Sequence, residues 1–391
     1  MKFLNGADIA IVSPCPQAHL PLEGWMSRIR AIDRQLKGHK RIYLHFSEDH
    51  DFEAGGVVWH DVERAEILLH PSSKRSAALV SEIVDTVHVV YVHTLHLAEH
   101  MLPWLSSGKI CVDIHGVTPE EEEMLGRSHL RGRYETVEQA VLVQAKRCIA
   151  VSDAMIEHYA EKYPALAPAW LTIPIIEAYP EELSSVRGNL ADDCTPVALY
   201  SGGIQAWQNL DAMLTLAEAR SGDVTFRFLS HEQDLIRRRV KERQLKPAPE
   251  VTYCRKTELP DAYRAADFGL VLRDDSPVNR VSCPTKLAEY LQFGLVPVVR
   301  SPRLGDFYGL GFAYVTEEEF AAGFLPDGSS REWMIERNLE VIWTLADKFR
   351  AGVDALRDVM GLEPNSEQET NVDRYGTFVA GIKAADFPAQ S

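Results

Sequence analysis

The chain has 391 residues, 46% of them hydrophobic and 25% charged, and a formal net charge of −16 at pH 7. This composition is typical of a globular protein of about two domains, and its acidity disfavours generic nucleic-acid binding, which requires a basic surface. Six scattered cysteines, the lack of a signal-peptide pattern and the lack of a long apolar run predict a cytoplasmic protein without disulfides, zinc or membrane spans.

The first part of the chain alternates short apolar runs with amphipathic segments. This is the pattern of a parallel sheet covered by helices. In chain order we predict strand 8–13, helix 23–37, strand 41–46, helix 74–85, strand 87–93, helix 96–106, strand 109–115, helix 134–146 and strand 148–151.

A polar, aperiodic stretch at 178–196 predicts a linker. The second series that follows is strand 197–200, helix 209–219, strand 224–229, helix 231–244, strand 251–254, helix 258–266, strand 268–272, helix 284–293 and strand 296–299. We therefore predict an α/β fold of two doubly wound, Rossmann-like domains that face a cleft. Their ranges are 1–180 and 197–330, and helices within 331–391 pack back across the interface.

The segment "CPTKLAEYLQFG" predicts a helix that begins at Pro284, ends before Gly294 and is capped by Ser282 or Cys283. The free N–H groups and the dipole of its first turn form a site for an anion. Lys286 in that turn is unfavourable for an isolated helix. The position of Lys286 therefore indicates that an anion, such as a diphosphate, binds between this lysine and the start of the helix. The alternative is that Lys286 is a solvated surface residue.

Two more residues extend this candidate site. Arg273 follows the apolar strand "DFGLVL", so it emerges at the carboxyl edge of the sheet, where ligands bind. The alternative for Arg273 is an ion pair with Asp274 or Asp275. Glu289 shares a helix face with Lys286. It either forms a salt bridge with that lysine or accepts hydrogen bonds from a ribose diol.

Glycines and a histidine mark further strand ends. Gly202 and Gly203 in "LYSGGIQAWQNLD" allow close approach of a ligand to the backbone, although such pairs also serve steric needs alone. Gly24 lies in the corresponding loop of the first domain. His115, before Gly116, ends an apolar strand and is therefore expected at the cleft.

The helix after Gly24 carries two stripes. One is predicted to face the core and contains Trp25, Ile29, Ile32 and Leu36. The other is basic and contains Arg30, Arg34 and Lys37, with Lys40 and Arg41 beyond it. This basic helix, 25–41, is either a solvated face or a contact for an anionic membrane surface or a phosphorylated acceptor.

The sequence resembles the family 4 glycosyltransferases, which have the GT-B fold. In the first domain the resemblance rests on the Gly24 loop, on "DIHG" (113–116) and on "CIAVSDAMIEHYAEKYP" (148–164). In the second domain it rests on the Gly202 turn, on "KTELPDAYRAADFGLVLR" (256–273) and on "CPTKLAEYLQFGLVPVV" (283–299).

The resemblance implies transfer of a sugar from a nucleoside diphosphate sugar to an acceptor hydroxyl on a glycan or lipid-linked precursor. It also implies retention of configuration and no metal or other cofactor. It places ribose at Glu289, the donor sugar at His115 and phosphates at Gly24 and Gly203. The expected site residues are then catalytic His115, Arg273 and Lys286, and donor-binding Gly24, Gly202, Gly203, Thr285 and Glu289.

Two departures from the family pattern bear on this prediction. The first of the family's paired glutamates falls on Val281, and the loop "SGGIQAWQN" lacks the usual phosphate-binding cations, a role we assign to Arg273 and Lys286. Three alternatives stay open. These are a metal-dependent transferase of the other common fold, built on Asp49-His50-Asp51, a nucleotide-sugar epimerase, and a non-catalytic nucleotide-sugar-binding protein.

Overall fold

The structure is a computed structural model that describes residues 6–17, 24–48, 55–176 and 195–362. Three predicted features lie wholly or largely outside these ranges. They are the Asp49-His50-Asp51 motif, the linker 178–196 and the end of the C-terminal segment.

The first sheet has eight strands, namely β1 (Ile9–Val12), β2 (Arg41–Phe46), β3 (Val57–Trp59), β4 (Arg64–Leu69), β5 (Val89–His93), β6 (Ile110–Ile114), β7 (Arg147–Ala150) and β8 (Trp170–Thr172). Their order is β3-β4-β2-β1-β5-β6-β7-β8, and all pairs are parallel except β3 with β4. The sequence analysis missed β4 because Glu66 interrupts its apolar run. This glutamate is buried, and His45 and His60 each contact it at 2.9 Å.

The second sheet has six strands, namely β9 (Val197–Ser201), β10 (Thr225–Leu229), β11 (Glu250–Thr252), β12 (Phe268–Val271), β13 (Val296–Val299) and β14 (Val315–Thr316). Their order is β11-β10-β9-β12-β13-β14, and every pair is parallel. In both sheets the first strand of the series is central and the order reverses beside it, which is the doubly wound arrangement.

Helices cover both sheets. In the first domain they are α1 (Gly24–Gln35), α2 (Lys74–Thr86), α3 (Thr94–Glu99), α4 (Thr118–Met124), α5 (Arg131–Gln144) and α6 (Asp153–Lys162). The others are α7 (Leu210–Ala219), α8 (Gln233–Glu242), α9 (Leu259–Arg264), α10 (Pro277–Val281), α11 (Thr285–Gln292), α12 (Gly305–Gly309), α13 (Glu317–Ala321) and α14 (Gly328–Met360). Within the described ranges, none of the helices combines the length and apolar character needed to cross a bilayer.

Helix α1 differs from its prediction at both ends. The buried stripe is confirmed for Ile29, Ile32 and Leu36, each 1% exposed. Trp25 is 40% exposed, so its assignment to the core was wrong, and Arg28 is buried on this face instead. Arg41 does not belong to the basic surface, because it begins β2, is buried and pairs with Asp33 at 2.8 Å.

The predicted cap of helix α11 was also wrong. Pro284 occupies the cap position and makes no side-chain capping bond. Ser282 ends α10 and donates its hydroxyl to a carbonyl of that helix, while the Cys283 sulfur accepts from the Ile175 N–H at 3.3 Å. The left-handed stop at Gly294 is confirmed by its φ of 71°. The residue at the cap position therefore leaves the first-turn N–H groups of α11 without a side-chain capping bond.

Helix α14 contacts both domains along its 33 residues. Near its start, the Asn338 amide bonds both the N–H of Ala313 at 2.7 Å and its carbonyl at 2.9 Å. Near its end, the Lys146 ammonium donates to the Val359 carbonyl at 3.0 Å. Apolar side chains of the same half pack into a cluster with β1 and β5, namely Phe349, Val353, Leu356 and Met360.

Two further contacts join the domains. Lys348 of α14 pairs with Asp153 of α6 at 2.6 Å and with Asp306 of α12 at 2.8 Å. The Ser152 hydroxyl donates to the Val281 carbonyl at 2.5 Å, and the Val281 side chain is buried. This chain therefore uses position 281 for packing between the domains.

Gly352 allows α14 to lie close to β8, since a Cβ at this position would overlap the carbonyl oxygen of Thr172. Replacing a glycine by alanine inside a helix ordinarily stabilises it by about 0.5–1 kcal/mol. We expect the opposite for Gly352→Ala, a loss of about 1–3 kcal/mol in the free energy of unfolding, measured by urea denaturation. Gly328→Ala, which meets open space in the same helix, is the matched control. Equal effects of the two substitutions would contradict this account.

Candidate functional site

Open α/β sheets bind ligands outside the carboxyl ends of their strands, at the point where the strand order reverses. In the second sheet this point lies between β9 and β12, because β9 continues to β10 on one side and β12 to β13 on the other. Gly202 directly follows β9, and Arg273 lies two residues after β12. The fold therefore brings both predicted residues to the same crevice.

The glycine turn contacts the predicted donor helix. Gly202 has a φ of 142°, in a region that side-chain-bearing residues rarely adopt. A Cβ at Gly202 would lie 3.4 Å from both Lys286 Cε and the Tyr200 hydroxyl. Tyr200 also donates this hydroxyl to the Gly203 carbonyl. The lysine of α11 thus lies over the turn, and Thr285 is the first residue of that helix.

Glu289 has two partners in this crevice. Lys286 Nζ lies 3.0 Å from Glu289 Oε2, which is the salt bridge considered as the alternative in the sequence analysis. The Tyr263 hydroxyl donates to the same oxygen and is itself 2.8 Å from the Ser201 hydroxyl. The carboxylate is therefore held by groups from α9, α11 and the end of β9. The salt bridge leaves room for the ribose role, since a carboxylate accepts several hydrogen bonds.

Arg273 has no acidic partner within the described ranges. The two aspartates proposed as alternatives are engaged elsewhere, since Asp274 pairs with Arg300 at 3.0 Å and Asp275 with Arg280 at 2.5 Å. Arg273 Nε is buried and has no hydrogen-bond partner there. The predicted alternative of an ion pair with either aspartate is therefore wrong.

The environment of Arg273 makes its charge costly. Burial lowers the pKa of Arg273 to about 10, against the opposing influence of Tyr200 and Tyr290. A guanidinium with this pKa stays charged at neutral pH. A desolvated cation without a counter-ion is unfavourable, and an anionic ligand relieves that cost.

Cations from both domains approach each other near Glu289. Partial loss of solvent lowers the pKa of Lys256 below its ordinary value although the residue remains exposed, and Glu289 opposes this shift. Lys286 adds to the lowering, as do Arg30 and Arg34 of α1. The basic stripe of α1 therefore lies near the second domain. Sequence reasoning missed Lys256, although it begins the quoted motif "KTELPDAYRAADFGLVLR".

The first domain contributes a buried polar cluster. His115 follows β6, and its Nε2 lies 3.2 Å from Asp113 Oδ2 and 3.2 Å from Nδ1 of His93. Arg28 donates to both oxygens of Asp113, at 2.9 and 3.1 Å, and Tyr91 donates to Oδ2 at 2.7 Å. His115 thus lies at the strand end, as predicted, within a network that joins α1, β5 and β6.

Sequence reasoning missed the partners of His115. His93 ends the predicted strand 87–93, so the signal that identified His115 was available for it too. Arg28 and Asp113 are 85 residues apart, and nothing in the sequence pairs them. Gly24 is the first residue of α1, and the loop that it closes lies partly outside the described ranges.

His93, Asp113 and His115 are the only group with metal-ligand composition and spacing found in the described part of the chain. Two imidazoles and one carboxylate are a common divalent-metal ligand set. Here the Arg28 guanidinium already neutralises Asp113 through both carboxylate oxygens. A divalent cation beside that guanidinium would meet strong repulsion, so the residues present do not favour a metal.

No protein-family model matches the chain, and no curated protein sequence matches it. Solved structures do resemble it. An E. coli trehalose-6-phosphate structure with bound UDP-2-fluoro glucose has 13% identity and a TM-score of 0.62, covering 92% of this chain and 100% of the other. A sucrose-phosphate synthase from Thermosynechococcus elongatus has 16% identity and a TM-score of 0.56, covering 96% of this chain and 100% of the other.

A third similar structure is an α,α-trehalose-phosphate synthase (UDP-forming) from Burkholderia xenovorans in complex with glucose-6-phosphate. It has 13% identity and a TM-score of 0.61, covering 90% of this chain and 100% of the other. Similarity at this level of identity concerns the fold. The predicted architecture of two Rossmann-like domains, the GT-B fold, is thereby confirmed, whereas membership of family 4 is not established.

Proposed function

We propose that this protein is a glycosyltransferase that moves a sugar from a nucleoside diphosphate sugar to an acceptor hydroxyl, with retention of configuration and without a metal. The observation that carries this proposal is Arg273, a half-buried arginine beside the Gly202 turn and the start of α11, whose Nε is buried and which has no acidic partner in the described part of the chain. Such a site is suited to a strongly anionic ligand of diphosphate size.

The proposed catalytic roles depend on where negative charge develops during sugar transfer. As the bond between the sugar and the diphosphate breaks, negative charge grows on the departing phosphate oxygens. Arg273, Lys286 and the N–H groups that begin with Thr285 stabilise that charge in a fixed arrangement. Gly202 and Gly203 let the backbone come close to the phosphates, and Gly24 does so from the first domain. Glu289 binds the ribose. The roles of Glu289, Gly24 and Gly203 are carried over from the resemblance, whereas those of Arg273 and Lys286 are our own assignment.

No residue is assigned as a nucleophile on the sugar. The carboxylate closest to His115, Asp113, is buried and bound by Arg28 and Tyr91, so it is not free to attack. His115 contacts the donor sugar in this proposal. Closure of the two domains around the donor excludes water and limits its hydrolysis.

The acceptor class is suggested by the basic stripe of α1. Arg30 and Arg34 each contribute to lowering the pKa of Lys256 in the other domain, so these three cations lie near one another. The Burkholderia relative is a complex with glucose-6-phosphate. A phosphorylated acceptor inside the cleft therefore fits this chain better than an anionic membrane surface. Binding of sugar phosphates in preference to vesicles containing anionic lipid would support that choice, and the reverse preference would favour a lipid-linked acceptor at a membrane.

Screening of nucleotide sugars by thermal shift tests the donor. A donor at 100 times its dissociation constant stabilises the folded state by roughly 2.7 kcal/mol. We expect one nucleoside diphosphate sugar to raise the melting temperature well above the matching nucleoside alone, because most of the binding energy comes from the phosphate cations. Equal shifts with nucleoside and nucleotide sugar would contradict the phosphate site.

Turnover separates the remaining alternatives. Release of nucleoside diphosphate that depends on an acceptor and is unaffected by chelator is expected from a metal-independent transferase. Conversion of the donor without acceptor would instead indicate an epimerase. Binding without release across varied acceptors would indicate a non-catalytic relative, and loss of activity with chelator would revive the metal-dependent alternative.

A further inference from the structure

Helix α4 carries four consecutive glutamates, and three of them have a cationic partner. The three ion pairs are Glu120 with Lys162 at 2.8 Å, Glu122 with Arg127 at 2.5 Å, and Glu123 with Arg131. Glu121 has neither an ion pair nor a side-chain hydrogen bond within the described ranges. The helix dipole favours acidic residues in this first turn, but it does not explain why one of them is left without a partner.

The side chain of Glu121 points back to the turn that follows β6. A Cβ at Gly116 would lie 1.9 Å from Glu121 Oε1 and 3.3 Å from Oε2, so the carboxylate occupies the space that a side chain at this position would fill. Residues two apart on a helix lie on nearly opposite faces. Accordingly, the Glu123 side chain is 51% exposed on the outer face. Glu121 is therefore directed at the carboxyl edge of the first sheet, beside His115.

The Glu121 carboxylate is partly buried but remains accessible. The residue is half-buried, and neither of its oxygens is among the fully buried atoms without a partner in the described part of the chain. Helix α4 also contacts α10 of the second domain, so this accessible carboxylate lies close to the domain interface. Burial raises the pKa of Glu121, and Glu122 and Glu120 add to this rise. A ligand that donates a hydrogen bond to the carboxylate would offset the unfavourable environment.

The charge of this position determines which ligand group fits it. A carboxylate accepts hydrogen bonds, which a sugar hydroxyl can donate, whereas a phosphate group would be repelled. The cations that suit a phosphate are those of α1, together with Lys256. Helices α1 and α4 follow β1 and β6, which are separated only by β5, so the ends of these two strands lie about 10 Å apart. A phosphorylated sugar can span this distance.

We propose that Glu121 is a specificity-determining residue, which binds a hydroxyl of a phosphorylated sugar acceptor. The phosphate of the same molecule is held by Arg30 and Arg34 of α1 and by Lys256. The proposal rests on the proposed function for the identity of the ligand as an acceptor. No bond to carbon forms or breaks at Glu121 in this role, because the hydroxyl that it binds keeps its proton.

Thermal unfolding of the ligand-free chain tests whether the Glu121 carboxylate has a structural role. Glu121→Gln keeps the shape of the side chain and removes its charge. Because no partner is lost, we expect its Tm at pH 7 to equal or exceed that of the wild type. Glu120→Gln, which breaks the pair with Lys162, is the matched comparison and should lower the Tm. An equally large fall for Glu121→Gln would overturn the proposal.

Calorimetric titration with glucose 6-phosphate tests the ligand, in the presence of saturating UDP so that the proposed diphosphate site is filled. We expect Glu121→Ala to raise the Kd of glucose 6-phosphate by about 10- to 100-fold, the range of one hydrogen bond to a charged group. The Kd of inorganic phosphate should not rise, because phosphate alone contacts only the cations. Glu123→Ala, on the outer face of the same helix, is the control and should change neither Kd.

The pattern of binding separates the two proposals. An unchanged Kd for glucose 6-phosphate in Glu121→Ala, or an equal rise for glucose 6-phosphate and inorganic phosphate, would overturn the acceptor role of Glu121. A wild type that binds UDP-glucose but not glucose 6-phosphate would also overturn that role, and it would leave the transferase function standing. A wild type that binds neither compound would count against the proposed function itself.

Discussion

Arg273→Ala is expected to lower the turnover of donor by about 10²- to 10³-fold, which is the effect of removing one well-placed group that stabilises developing negative charge. Arg273 lies at the strand-order reversal with its Nε buried and, among the residues that the structure describes, without a counter-ion, so the free enzyme gains little from its charge. Its interaction energy is therefore available to the departing diphosphate. Initial rates of nucleoside diphosphate release at saturating donor measure the effect, and Arg273→Lys should recover only part of it because it lacks the planar fork.

Arg300 supplies the matched control for this substitution. It follows β13, the strand next to β12, and so lies at the same sheet edge. Unlike Arg273, it is paired, with Glu317 at 2.6 Å and with Asp274 at 3.0 Å. Arg300→Ala should leave turnover within about threefold of wild type, because two carboxylates already neutralise this guanidinium and it is not available to the diphosphate. Near-normal rates for Arg273→Ala would contradict a diphosphate site at Arg273. Equal losses in both variants would indicate that turnover depends on the overall charge of this sheet edge.

Lys286 belongs to the same experiment with a different expected pattern. Its ammonium is shared with Glu289 at 3.0 Å in the free protein. Lys286→Ala should therefore both weaken stabilisation of the diphosphate and release Glu289 to reorient. We expect a fall in kcat of the same order as for Arg273, together with a rise in KM for the donor. A change in KM alone would assign the lysine to uniform donor binding.

Arg28→Met is expected to lower the free energy of unfolding by about 3–5 kcal/mol, because it leaves a buried carboxylate without its ion-pair partner. Arg28 and Asp113 are both fully buried, and the pair is bidentate. Arg28 also donates to the Pro174 carbonyl at 3.2 Å, so it ties α1 to the chain beyond β8. Urea denaturation monitored by circular dichroism measures the loss.

The control for this prediction is Arg133→Met. Arg133 donates to both oxygens of Glu99, at 2.5 and 2.6 Å, yet its side chain is 56% exposed. Exposed pairs of this kind contribute roughly 0–1 kcal/mol. Comparable losses for the two variants would show that burial does not determine the effect.

The pH dependence of Arg28→Met has a definite sign. In the wild type the pKa of Asp113 is well below its ordinary value, so the stability it contributes is present above its unfolded pKa and is lost only in strong acid. In the variant, burial without Arg28 raises that pKa, and the carboxyl group takes up a proton in mild acid. The deficit of Arg28→Met should therefore shrink as the pH falls from 7 towards the ordinary carboxyl range. A constant deficit would contradict the electrostatic cause.

The parts of this fold that follow a local rule were predictable. Apolar runs bounded by turn residues located the central strands of both sheets, and the rule for strand ends placed His115, Gly202 and Arg273 near ligand-binding edges. These predictions succeeded because each depends on a few consecutive residues. The predicted roles of the same residues in donor binding remain predictions, tested by the experiments above.

The errors share a different cause. Trp25 was assigned to the core from helical spacing, and Arg41 was added to the basic surface because it follows the basic stripe. Neither argument shows that Asp33 lies where it can neutralise a buried arginine. The edge of the first sheet was missed because Glu66 is polar, and its two histidine partners come from elsewhere in the chain. For Arg41 and Glu66, a partner elsewhere in the chain changes the cost of burying a polar group. The residues next to a buried polar group in the sequence do not indicate which other residue will pair with it.

Helix α14 has a mechanical consequence. Its first half is fixed to the second domain through Asn338, and its second half is fixed to the first domain through Val353, Leu356 and Met360. Because α14 is held by both domains, a wide opening of the domains must either bend this helix or break its contacts with one of them. Closure of the domains around a donor must therefore either be small or be accompanied by bending of α14. A chain truncated before α14 would expose the apolar surfaces that this helix covers in both domains. It would also lose the contacts through which α14 connects them.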